Sequence, residues 1–225
     1  MDLSPLYISI KTSILSTIIT FFIGIFVSYK MAYYNGKYKG ILDTLLTIPL
    51  ILPPTVIGFF LLIILGKNGF IGKIFLIFNK NIIFSYWATV ISAVVVSFPM
   101  MYRSSRSAFE QIDNNLILCA KTLGLSNWNI FRKIAIPLAY PGIIGGVVLA
   151  FTRALGEFGA TLMIAGNIPG KTQTIPIAIF FAVESGDMNI AIFWVLMTIF
   201  ISFFMILILN YWLDKQRNIT GKRPK

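Results

Sequence analysis

Five long apolar stretches, at about 6–29, 41–65, 83–102, 138–165 and 189–213, are separated by shorter polar segments along the 225 residues. Each supplies roughly 18 residues or more with few charges, enough helix to cross a hydrocarbon core about 30 Å thick. The pattern predicts an all-α polytopic membrane protein with five transmembrane helices. A further apolar run, 175–183, would rise only about 14 Å as helix, which is too short to cross. It reads as a re-entrant or surface helix. One region breaks the rhythm: residues 110–137 are polar and amphipathic, and far longer than a connection between two spans needs.

Within that island, Asp113 is placed to cap a first short helix. Its apolar positions Leu116, Cys119 or Ala120, and Leu123 recur every three to four residues. Gly124 can take the left-handed conformation that ends such a helix. Ser126 is placed to cap a second helix, with Leu125 and Ile130 spaced for a hydrophobic staple. Trp128 and Phe131 form an aromatic ridge, and Pro137 ends the pattern where the next span begins. Two short helices so built either rest on the bilayer surface or insert into a groove on a cytoplasmic protein.

Composition supports a single membrane domain over 1–225: 57% of residues are hydrophobic and 12% charged, against about 25% charged in soluble domains. The start, Met1-Asp-Leu-Ser-Pro, lacks the basic region of a removable signal peptide. Cys119 is the single cysteine and there is no histidine. An internal disulfide, a transition-metal site and a histidine-dependent nucleophile are therefore not expected. Charge sets the orientation. With the N-terminus outside, one side holds thirteen Lys and Arg, from Lys30 to Lys225, and the other only Lys11, Lys67, Lys73, Lys80 and Lys171. That asymmetry places the island and the C-terminus in the cytoplasm. The net charge of +11 is then a topology signal, and its spread over separate loops does not suggest nucleic-acid binding.

Charges within spans point to function, because each is expensive in lipid and faces a bundle interior or cavity. Arg153 and Glu157, four residues apart on one face, can neutralise each other or line a path together with Thr161. Asp43 reads as a charge facing the N-terminal dipole of the second span. Pro49, Pro53 and Pro54 remove amide donors there, which predicts a kink beside a cavity. Gly142, Gly146, Ala150 and Ala154 form a small-residue ladder for close helix approach. Residues 165–172 fit a relaxed phosphate-binding loop, but they leave a helix rather than a strand and read as a turn.

Ala120, Gly124, Ile134 and Pro137 match the spacing of the "EAA" loop of binding-protein-dependent ABC importer permeases. Leu118 and Cys119 stand where that loop has Glu and its first Ala, and Ile136 replaces a Leu. A second stretch, from Arg153-Ala-Leu-Gly-Glu-Phe-Gly-Ala-Thr to Thr172-Gln-Thr-Ile-Pro176, resembles the molybdate-transport permeases, and a shorter version of it recurs in sulfate permeases. The similarity runs from about residue 6 to 213 and includes Pro49, Pro53, Pro54 and Gly58 of the second span.

The resemblance implies the transmembrane domain of a type I ABC importer. Such a subunit is not an enzyme: it moves a tetrahedral oxyanion, here molybdate, or sulfate or tungstate as alternatives, across the cytoplasmic membrane by alternating access. It implies a homodimer bound to two copies of a cytoplasmic ATPase, which would hold the ATP and Mg, and fed by an external oxyanion-binding protein. On this reading Ala120, Gly124, Trp128, Phe131, Ile134 and Pro137 form the ATPase-coupling loop. Arg153, Glu157, Thr161, Pro53 and Pro54 border the translocation path. A secondary transporter or channel is the alternative from another class, and the internal repeat common in such transporters is not visible.

Overall fold

The computed structural model describes residues 2–78 and 81–219, with side chains through residue 208 and at Tyr211. Lys80, Lys222, Arg223 and Lys225, counted in the charge asymmetry, lie outside the described residues. Among those described there are helices and no strands: α1 (Ser4–Ala32), α2 (Lys39–Ile51), α3 (Pro54–Leu65), α4 (Phe70–Ile77), α5 (Tyr86–Glu110), α6 (Asn114–Thr122), α7 (Asn127–Ile130), α8 (Ile136–Leu155), α9 (Gly159–Ala165), α10 (Ile175–Glu184) and α11 (Met188–Ile219). Ahead of α1, the Asp2 carboxylate accepts from the Ser4 hydroxyl at 2.7 Å and the Ser4 amide at 2.9 Å. Those bonds hold its pKa below the ordinary value, the hydroxyl first.

The bundle centres on α5, which packs against both α1 and α8. Three helical stretches are long and apolar enough to cross a bilayer alone: α1, the continuous rod Asn127–Leu155, and α11 through Ile208. α5 has 25 residues, about 37 Å of helix, but is more polar. Its Thr89, Ser92, Ser97 and Ser105 are buried, and α1 buries Ser9, Thr12, Ser13, Ser16, Thr17, Thr20 and Ser28. Thr12 and Thr89 share a hydrogen bond of 3.1 Å, and Ser28 donates to the Tyr102 carbonyl at 2.9 Å. Small hydroxyl side chains let helices approach closely where lipid supplies no hydrophobic drive. This seam was not singled out in the sequence. The expected ladder packs on α5: Ala150 and Ala154 are buried, and a Cβ on Gly146 would lie 3.0 Å from Met101 Sδ.

Several elements differ from the sequence expectation. The second stretch, 41–65, is two helices bent by 112°, and the cause is local. Pro53 and Pro54 cannot donate to the preceding turn, so α2 stops at Ile51 and α3 restarts with Pro54 in its first turn. The third stretch, expected to end near 102, continues as α5 to Glu110, where Arg106 pairs with Asp43 and Glu110. The fourth, expected as one helix over 138–165, is broken at Gly156–Phe158 and starts much earlier.

Pro137 does not end the island's second helix. α7 runs through a π-turn at Phe131–Ala135 into α8 without interruption. The Ile136 amide reaches back to the Phe131 carbonyl, and this widened turn makes room for a ring that would clash with a carbonyl four residues back. The short apolar run forms α10, ten residues long. It packs against α11 and α1, and its first amide, Ile175, donates to Ser9 Oγ at 2.7 Å.

Candidate coupling island and translocation residues

The caps of the island lie where the sequence placed them. Asp113 accepts from the Asn115 amide at 2.9 Å and Ser126 from the Asn129 amide at 3.3 Å. Between the two helices Gly124 has φ +79°. Leu125 N donates to the Ala120 carbonyl at 3.1 Å and Gly124 N to the Lys121 carbonyl at 3.0 Å. This is the paired bonding of a Schellman turn, which requires a residue at ease with positive φ.

The island's inner face belongs to the same core as α1, α5 and α8. Ile117, Ala120, Ile130 and Phe131 are buried there, beside Ile25, Met101 and Phe109. Each large side chain so buried contributes about 1.5–3 kcal/mol, so the island is a fixed part of the bundle. The expected ridge is therefore divided. Phe131 turns inward, 4.6 Å from the Tyr29 ring, while Trp128, 5.5 Å from Phe131, is 62% exposed. Ala120 likewise braces the core, Ile134 packs against it, and Gly124 and Pro137 are exposed.

On α6 the sequence grouped Leu116, Cys119 or Ala120, and Leu123 in one apolar stripe. The structure turns Ile117 and Ala120 inward instead, leaving Leu116, Leu118 and Leu123 at 49%, 57% and 81% exposure. A helix with two apolar stripes does not declare which of them packs on its own chain. Leu116 and Leu123 of the expected stripe thus stay outside, joined by Leu118, which the sequence reading did not place there.

Arg153 and Glu157 do pair, at 2.8 Å, although Glu157 lies two residues beyond the end of α8. The Glu157 side chain is 1% exposed and that of Arg153 27%. Its Oε1 accepts from the Ala160 amide at 2.8 Å and so caps the first turn of α9. Oε2 faces the guanidinium as an ion-pair contact without an aligned hydrogen bond. Thr161 is 2% exposed and shares a 2.7 Å hydrogen bond with Ser92 on α5. Pro54 packs on Gly159, where a Cβ would lie 3.1 Å from Pro54 Cβ, while Pro53 is exposed. The structure thus gathers Glu157, Thr161 and Pro54 around the start of α9.

None of the five path residues lines either of two larger cavities. One, of about 1090 Å³, lies between the end of α3, α4 and residues 81–85, with Lys67 and Lys171 at its wall. The other, of about 560 Å³, lies between the end of α5 and the start of α8.

Asp43 is not a dipole charge. Tyr102 Oη donates to it at 2.8 Å, and Arg106 pairs with it while also donating to Glu110 at 2.9 Å. The sequence signal was available in the Arg106 and Glu110 spacing, which suits an i,i+4 pair, but not the link to α2. Residues 165–172 form a turn closed on itself, with Thr172 Oγ1 accepting from the Ile168 amide and donating to the Gly166 carbonyl. Among the described residues no group of three or more His, Cys, Asp and Glu could hold a metal.

Comparison with known proteins makes the class of this helical bundle specific. Residues 17–218 match the family of binding-protein-dependent transport system inner membrane components, and the chain belongs to that family. It is similar to the putative molybdenum transport system permease protein YvgM of Bacillus subtilis (strain 168), 50% identical over 166 residues covering 73% of each chain. It is similar also to the molybdenum transport system permease protein ModB of Escherichia coli (strain K12), 47% identical over 146 residues covering 64% of each. A bacterial ABC transporter involved in import of the acidic polysaccharide alginate shares the fold, with a TM-score of 0.75 at 15% identity over 95% of this chain and 79% of that one. The chain is thus a multi-pass inner-membrane permease, the non-catalytic membrane component of a binding-protein-dependent transport system.

Proposed function

We propose that this chain forms the pathway of an ATP-driven molybdate importer, as a homodimer carrying two cytoplasmic ATPase subunits and served by an external oxyanion-binding protein. The observation that carries the coupling part is the island: two capped helices fixed to the core on one face and apolar on the other. Leu118, Leu123 and Trp128 are too exposed to be packing groups of this chain, and they are arranged as helix-in-groove anchors. Ala120, Gly124, Phe131, Ile134 and Pro137 hold those anchors in place. The similarity to molybdenum permeases supports the choice of oxyanion. Nucleotide and Mg are assigned to the partner ATPase.

Arg153 and Glu157 neutralise each other, so their role on this reading is to hold the α8–α9 break beside the path rather than to grip a dianion. Weak binding there suits a path that must release its cargo. The N-terminus is assigned to the outside and the island to the cytoplasm, from the basic asymmetry. Vesicles holding this chain with its ATPase subunit and binding protein test the reading. ATP-dependent uptake of molybdate, inhibited by tungstate more than by sulfate, is expected. Uptake that ignores ATP and follows an ion gradient would instead assign the chain to secondary transport.

A further inference from the structure

α2 is an odd element in this bundle. It has thirteen residues and none of them is buried within the chain. Its main helix contact is α5, and the polar part of that contact is a single network near the cytoplasmic ends of both helices. Asp43 accepts from Tyr102 Oη at 2.8 Å and pairs with Arg106. Arg106 also donates to Tyr102 Oη at 3.1 Å and to Glu110 at 2.9 Å. Lys39, at the start of α2, lies 3.8 Å from Glu110. Tyr102 is fully buried and the Arg106 side chain is 18% exposed, so the guanidinium sits with little water and two carboxylates around it. A planar fork suits that task, since it can serve both acids at once.

The other end of α2 differs. Pro53 and Pro54 contribute no amide to the 112° bend, so neither ties α2 to α3 by a backbone hydrogen bond of its own. α3, beyond the bend, packs on α9 instead. α5, in turn, ends at Glu110, the first residue of the island.

We propose that Arg106 is a positioning residue of the transport cycle. It clasps α2 to the cytoplasmic end of α5 throughout the cycle, so that movement of the island is carried to α2 and taken up at the Pro53–Pro54 bend. This rests on the importer reading above. No side chain of α2 is buried in this chain, so its register on α5 rests on this network, in which Arg106 alone contacts both carboxylates.

The test uses vesicles containing the whole complex, all variants being compared in a Cys119→Ser background. Arg106→Met should reduce molybdate uptake about tenfold or more while ATP hydrolysis by the assembled complex stays within about twofold, a loss in the ordinary range of coupling between sites. Arg106→Lys keeps the charge but not the fork and should recover part of the uptake. Asp43→Cys with Arg106→Cys should transport poorly while its thiols are free. A short bifunctional thiol reagent that joins the two positions should then restore uptake at least about fivefold, the lower bound of such coupling.

A crosslink that forms and leaves uptake low overturns the proposal, as does Arg106→Met transporting at the background rate. Failure of both Arg106→Met and the cysteine pair to assemble also overturns it, because the network then serves folding only. The background chain tests the importer reading separately: no ATP-driven uptake there removes that reading, whereas uptake there with no response to the crosslink removes the clasp alone.

Discussion

Two of the membrane-length stretches are broken, and they are broken in different ways. Between α2 and α3 the chain has prolines, an exposed Pro53 and a wide bend with no ionic side chain at the break itself. Between α8 and α9 there is no proline. There the buried Glu157 carboxylate takes over an amide of the next turn and is balanced by Arg153. The first break results from donors that do not exist, so it needs little repair. The second leaves donors exposed in an apolar bundle, so a charged side chain must satisfy them and a second charge must neutralise it. The two restarts meet, with Gly159 against Pro54 and Gly58 against Ala160 and Met163. A joint left without amide donors therefore sits directly on one closed by a buried charged pair.

The largest effect that separates them is expected at the joint closed by the charged pair. Arg153→Met leaves Glu157 buried and unpaired, which should destabilise the protein by about 3–5 kcal/mol, whereas Arg153→Met with Glu157→Gln should be milder. Thermal or denaturant unfolding in detergent checks the order. If the single variant is as stable as the double, the ion pair does not set the rigidity of this break.

Next comes the crossing itself. A Cβ on Gly58 would lie 2.7 Å from Met163 Cβ and 2.9 Å from the Ala160 backbone, and backbone cannot step aside as a flexible side chain can. Gly58→Leu should cost about 1–3 kcal/mol, the usual range for overpacking, and the same unfolding series measures it. Wild-type stability would mean that α3 is not pressed against α9.

The smallest effect belongs to the proline joint. Pro53→Ala should change stability by only about 0.4–1 kcal/mol, mostly through the freedom of the unfolded chain. Spin labels on α2 and α3 should nevertheless report a broader spread of distances or a straighter junction. A loss comparable to that of Arg153→Met would make the two joints equivalent and remove the contrast.

The same contrast explains what the sequence could show. Prolines announce a break because their chemistry is local, and Pro53-Pro54 was legible for that reason. The break after Leu155 depends on where the Glu157 side chain turns once the helix stops, and i,i+4 spacing suits an uninterrupted helix equally well. The island was legible at its caps, Asp113, Gly124 and Ser126, since each acts within a few residues of itself. Its faces were not: choosing Ile117 over Leu116 for the interior requires knowing where α1 and α5 lie. Pro137 was misleading because the π-turn that accommodates it leaves no mark in the pattern. Asp43 was read alone because its partner is 63 residues away.

The central claim, that the island transmits the work of a partner ATPase, is tested most directly at Gly124. Its φ is +79° and nothing lies within 4 Å of where a Cβ would stand. A substitution there thus acts on the turn alone, at about 1–2 kcal/mol for a side chain forced into the left-handed region. ATP-driven molybdate uptake should be measured in vesicles for Gly124→Val and for Gly124→Asn, which tolerates that conformation better. The account predicts that Gly124→Val yields folded protein with uptake largely lost, while Gly124→Asn keeps most of it. Wild-type uptake by Gly124→Val would contradict it.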